Sequence, residues 1–170
     1  MGSRGKKYFR CLCRLDGSDF NLIWYSDDTD GVVVDGPKVV GFRSVKGFEE
    51  YSRAVDLAIE DEAPMLHDFD QLIRWSADHE SNPVDCDLLL SAENLLSDIL
   101  SSIGGEPSLS SALDADTTYE KLFRGCNLPS IGGPQYTPLW TASELKRLAK
   151  RMEVRILAFR SALVLVDGKG

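Results

Sequence analysis

Residues 82–105, NPVDCDLLLSAENLLSDILSSIGG, constrain the fold more than any other part of this sequence. At 100° per residue, Val84, Leu88, Leu89, Ala92, Leu95, Leu96, Ile99, Leu100 and Ile103 fall within one arc of about 160°. Asp87, Ser91, Asn94 and Asp98 fall on the opposite side, so the spacing predicts a long amphipathic helix over 82–104. Asn82 is a suitable N-cap, Pro83 suits the first helical position, and Gly104 and Gly105 supply the stop. Burying each large side chain on that arc is worth roughly 1.5–3 kcal/mol before ordering entropy is subtracted. Other elements are therefore expected to pack around this helix, with Cys86 and Leu90 offering a second contact surface.

The chain of 170 residues has 43% hydrophobic and 27% charged residues, enough for one domain with a real core. No run of about 18 apolar residues suggests a membrane span, and no apolar segment near the start suggests a secretory leader. With only four cysteines, the expectation is a cytoplasmic protein rather than a disulfide scaffold. The net charge of −8 is unevenly distributed. Residues 15–120 carry 24 acidic and 5 basic side chains, whereas residues 121–170 carry nine basic and three acidic. An acidic middle can be partly neutralised by basic ends. What remains acidic repels nucleic-acid phosphates and attracts basic proteins.

In chain order, residues 6–42 read as strand-rich. Phe9, Cys11, Cys13 and Leu15 alternate onto the expected core face of a first strand, and Asp16 and Gly17 begin a hairpin turn. Further turns at Asp28–Gly31 and at Gly36 suggest an antiparallel sheet of three to four strands. Residues 44–160 read as four to five helices. Ser44 caps a helix carrying Phe48, Tyr51, Val55 and Ile59. Asp68 and Gln71 have capping-box spacing, as do Thr141 and Glu144, with Trp140 placed to staple onto Leu145. Along that last helix Lys146, Arg147, Lys150 and Arg151 fall on the wetter side. Residues 106–118 read as an exposed loop, and 162–166 suit either a final strand or the end of a helix. The fold class is α+β.

No catalytic motif stands out. Cys11 and Cys13 share a strand face, but CxC without a second spaced pair is weak as a zinc signal. No local pattern sets His67 or His79 beside a cysteine. His67, Asp68 and Asp70 form the one cluster suited to a metal-dependent enzyme, but the favoured reading is that Asp68 caps a helix and His67 lies in the loop before it. Asp28–Gly31 matches a fragment of a calcium loop but lacks the closing glutamate. The sequence therefore predicts no cofactor and no structural metal.

The expected function is protein binding, through carboxylates without local basic partners. Two clusters qualify: Asp27, Asp28 and Asp30 on a turn, and Glu60, Asp61 and Glu62 at an expected helix C-terminus, where negative charge opposes the helix dipole. A small acidic domain of this kind has the general profile of bacterial immunity proteins, which neutralise toxins by binding them. A basic protein partner such as a toxin, held by occlusion of its active site, is the implied target. A structural or regulatory module of a larger assembly is the other reading.

Overall fold

The computed structural model describes residues 5–105 and 117–167. Its first hairpin forms because Asp16 and Gly17 both adopt positive φ, 54° and 73°. Two such residues make the tight turn whose twist matches the strands it joins. Strand β1 (Lys7–Leu15) and strand β2 (Ser18–Ser26) then pair antiparallel along their whole length, from Lys7 opposite Ser26 to Leu15 opposite Ser18. The chain continues through β3 (Gly31–Val32), β4 (Val34–Asp35) and β5 (Lys38–Phe42), with β4 and β5 joined at Gly36, another left-handed residue.

The N-terminal part is antiparallel, as the alternation implies, but the finished sheet is mixed and has seven strands. Two of them come from the later chain. Strand β6 (Leu66–Asp68) pairs parallel with β1, and β7 (Leu163–Val166) pairs parallel with β5. Residues 163–166 are thus a strand. The sheet runs β4–β5–β2–β1–β6, with β3 joined to β2 and β7 to β5.

Helices cover both faces. Helix α1 (Val45–Ala54) is capped by the Ser44 hydroxyl, which accepts from the Gly47 N–H. It sets Phe48 and Tyr51 against Phe42, and with Ile23 these form a small core on one face. The other face carries the main core under α2 (Phe69–Ala77), α3 (Cys86–Ser102), α4 (Thr118–Gly125) and α5 (Ala142–Ala162). Phe9, Cys11, Cys13 and Leu15 do point to this side, and Cys13 is fully buried. The Thr141 and Glu144 capping box is present at the start of α5. No helix among the described residues is long and apolar enough to cross a membrane.

Three expectations need correction. Helix α3 begins at Cys86 rather than Asn82, because the Asp85 carboxylate caps it by accepting from the Leu88 N–H, whereas the Asn82 amide donates to Asp78 O at 2.9 Å. The stop at Gly104 and Gly105 is as expected, with both in positive φ. Helix α1 ends at Ala54, not Ile59. Asp56 takes φ 56°, and Leu57 donates back to Ser52 O, so the chain leaves as an extended segment. Glu60, Asp61 and Glu62 therefore sit on that segment, and the helix-dipole argument does not apply to them. The loop expected over 106–118 lies outside the described residues up to 116, and α4 starts at Thr118.

The third correction concerns charge. Arg151, expected on the wet side of α5, is 5% exposed, and Arg155 is 8% exposed. Both meet Glu93 of α3, itself 4% exposed, in an Arg–Glu–Arg arrangement buried between the two helices. Arg151 also donates to the Thr118 hydroxyl at the start of α4. Removing the shared carboxylate takes a buried counter-charge from both guanidinium groups. Glu93→Ala is expected to lose about 3–5 kcal/mol of stability in urea denaturation. Leu157→Ala, at a position 58% exposed on the same helix α5, should stay within about 0.5 kcal/mol.

Candidate binding groove

The segment that leaves α1 returns along the free edge of β1 and is held to it at two places. Ile59 bridges to Tyr8, with the Glu60 N–H donating to Tyr8 O at 2.8 Å. Leu66, His67 and Asp68 then pair with Leu12, Cys13 and Arg14. Between these anchors β1 spends three residues, Phe9 to Cys11, while the returning segment spends six, Glu60 to Met65. The longer side must bow outward. Strand polar groups alternate in direction, so those of Arg10 face the same edge as those of Tyr8, where the bow leaves the ladder interrupted.

The bow encloses a cavity of about 450 Å³. Phe9, Trp24 and Leu95 supply apolar walls, Cys11 and His67 line its interior, and Glu62 and Asp98 bring carboxylates. A second cavity of about 330 Å³ continues beyond His67, between β6 and α3, with Leu66, Leu88, Leu90 and Leu128 as walls and Asp68 and Asp87 as carboxylates. The two share Met65, His67, Ser91 and Asn94 and so form one groove. Met65, 64% exposed, stands at its lip. The guanidinium of Arg10 is turned to the opposite sheet face, where it donates to the Asn21 side chain at 3.2 Å.

Asp98, placed on the solvent side by the helical wheel, instead accepts from the Trp24 indole N–H at 2.9 Å and is half-buried. Burial raises its carboxyl above the usual range, the indole N–H opposes that rise, and Asp30 adds to it. Ser102, one turn on, accepts from the Val32 N–H and so stitches α3 to β3.

Both predicted acidic clusters are exposed or nearly so, and they flank the same end of β1, because Tyr8 stands between Tyr25 of β2 and Ile59. Glu60, Asp61 and Glu62 lead into the bow, and Glu62 lines the first cavity. Asp27, Asp28 and Asp30 lie on the turn after β2, where Asp30 accepts from the Asp27 N–H. Among the described residues none of these six carboxylates pairs with a cation. Elsewhere acid and base do pair, as in Arg14 with Asp19, Arg160 with Asp16 and Lys121 with Glu144.

The His67, Asp68 and Asp70 cluster does not converge. Asp68 caps α2 by accepting from the Gln71 N–H. Asp70 turns to the first hairpin, its two oxygens accepting from Asp16 and Gly17 at 2.7 and 2.8 Å. Among the described residues no three His, Cys, Asp or Glu side chains are grouped as metal ligands.

Of the four cysteines one is shifted down and three are shifted up. Cys11 is drawn down to about 6, first by the Cys13 side chain and then by His67, against burial and Asp98, which raise it. Cys13 is pushed well up by its complete burial. Burial also raises Cys86, with help from Asp85 and Asp87. Cys126 is pushed up to about 12 by burial and by Asp87. Sequence reasoning missed the approach of His67 to Cys11, because it arises from parallel pairing between distant segments and no local spacing encodes it.

No protein-family model matches the sequence, and no curated protein does. Among solved structures the chain is similar to the SatS C-terminal domain, crystallised in complex with bromine. The TM-score is 0.53 at 15% sequence identity, over 95% of this chain and 94% of that one. The likeness extends to the fold.

The Trp24–Asp98 contact makes a direct test. A raised acid contributes stability below its unfolded value, and that contribution fades as pH climbs past it. At pH 7 the buried charge is therefore a penalty offset by the indole hydrogen bond. Asp98→Asn keeps an acceptor and removes the charge, so it is expected to equal or exceed the wild type in urea denaturation at pH 7. Asp98→Ala leaves the indole unpaired and should cost about 1–2 kcal/mol.

Proposed function

We propose that this is an acidic protein-binding module whose groove along the β1 edge receives a basic, partly apolar segment of a protein partner. The observation that carries the reading is the joining of three features in one place. Apolar cavities open at an interrupted sheet edge, carboxylates line them, and the cation-free cluster of Glu60, Asp61 and Glu62 leads into them. Apolar walls supply the non-directional part of binding, and the open edge at Arg10 offers backbone groups to an extended chain. The carboxylates supply selection and speed, since a negative rim steers cationic segments and repels acidic ones. Among the described residues that line the groove there is no lysine, and the one arginine, Arg10, sends its guanidinium to the far face.

Within this reading a toxin with a basic active site is a fitting partner, because occlusion of that site needs only surface complementarity and a fast encounter. The protein then acts by binding in the cytoplasm, without a cofactor of its own.

Trp24 lies in the groove and reports on its occupant. Short peptides alternating Lys or Arg with Leu are expected to change its fluorescence, while Glu–Leu peptides of equal length should not, and Trp24→Phe should abolish the signal. Replacing Glu60, Asp61 and Glu62 with Gln, Asn and Gln should slow association about threefold to tenfold at low salt and flatten the salt dependence, leaving the fold intact. Stopped-flow measurement at two ionic strengths decides the matter. Equal rates for basic and acidic peptides, or an unchanged salt slope in the triple variant, would remove the basis for the proposal.

A further inference from the structure

The groove holds a thiol that the binding reading leaves unused. We propose that Cys11 is a site of oxidation by hydroperoxides, with His67 as the acid that serves the departing oxygen. Backbone register carries the argument first. His67 pairs with Cys13 across β1 and β6, so its side chain emerges on the sheet face that also carries Cys11, one pleat away and diagonal to it. Such diagonal neighbours stand roughly 7–8 Å apart at the backbone, within reach of an imidazole.

Access is the second point. Cys11 is 8% exposed, yet both it and His67 line the 450 Å³ cavity created by the bow at 60–65. The approach to the sulfur is therefore through a small space walled by Phe9, Trp24 and Leu95, which admits a compact neutral oxidant. Cys86 and Cys126 are more open to solvent, but their charged neighbours are Asp85 and Asp87, which disfavour a thiolate. Cys13 is sealed in the core.

The charged and titratable groups facing Cys11 come from each neighbouring element. Cys13 from β1 and His67 from β6 favour its thiolate, and Asp98 from α3 opposes it. Glu62 of the bow lies at the same cavity. The Cys11 proton passes to the imidazole. The sulfur then attacks the distal oxygen of the hydroperoxide, an S–O bond forms and the O–O bond breaks. The oxygen that leaves with the electron pair takes its proton from the imidazolium. Sulfur is oxidised by two electrons to a sulfenic acid, and the hydroperoxide is reduced to an alcohol, or to water when the oxidant is hydrogen peroxide.

The test treats the folded full chain with hydrogen peroxide and dimedone between pH 5 and 8, and follows each cysteine by peptide mass spectrometry. At pH 7 the Cys11 adduct is expected to form at least about fivefold faster than that of Cys86 or Cys126, although both are more exposed. Its rate should rise with pH through a midpoint near 6. His67→Gln, checked for folding by circular dichroism, should slow the adduct and move that midpoint upward. Faster labelling of Cys86 or Cys126, or no change in rate and midpoint in His67→Gln, overturns the proposal. Should that variant not fold, the wild-type site ratio and pH profile decide by themselves. Neither readout depends on whether the groove binds peptides.

Discussion

The buried contact of Glu93 with Arg151 and Arg155 is the interaction on which the rest of the architecture depends. It joins α3 to α5, and through Thr118 it ties α4 to the same point. Because α5 runs directly into β7, fixing that helix also fixes the strand that closes the sheet beside β5. Two guanidinium groups and one carboxylate taken from water are expensive unless they stay together, so the arrangement tolerates little sliding of one helix on the other. The surrounding apolar side chains (Leu89, Leu96, Leu148, Met152 and Ile156) provide the attraction, and the ion cluster selects one register among the packings those side chains would accept.

The same contact shapes the electrostatics of the surface. The basic residues of the C-terminal helix are the natural counter-charges for the acidic middle of the chain. Two of them are consumed inside by a single glutamate, and Arg160 is drawn to Asp16 at the first hairpin. Carboxylates at the opposite end of β1 from that hairpin keep their field. Asp27, Asp28, Asp30, Glu60, Asp61 and Glu62 gather at one end of β1 with no cation of the α5 series near enough to pair with them. An uneven charge distribution along the chain thus becomes an uneven distribution in space, and its acidic part borders the groove.

The groove follows from a mismatch in length. Between two points of attachment the returning segment has six residues to the three of β1, and a parallel ladder cannot absorb that excess. The surplus bows out, interrupts the edge and opens a space onto Cys11, His67 and Asp98. Trp24 closes the other side by donating to Asp98, which keeps a carboxylate in the cavity beside the apolar walls of Phe9 and Leu95. The proposed binding and the proposed thiol chemistry both rest on this one irregularity in a regular sheet.

The sequence by itself determined whatever rests on near neighbours. The hairpin at Asp16 and Gly17, the caps at Ser44, Asp68 and Thr141, the stop at Gly104 and Gly105 and the buried arc of α3 are all set by hydrogen bonds or side-chain periods spanning a few residues. Only the tertiary structure decided which polar groups were to be buried and which distant groups were to meet. Glu93 lies at the margin of the apolar arc, and nothing local marks Arg151 and Arg155 as its partners. Asp98 lies on the polar side of the wheel until the Trp24 indole finds it. Cys11 and His67 belong to segments joined by a parallel pairing, and a strand's alternation reports which face a side chain takes but not which strand will lie beside it. The acidic clusters were legible as residues, and their gathering at one end of β1 was not, because it depends on that same long-range pairing.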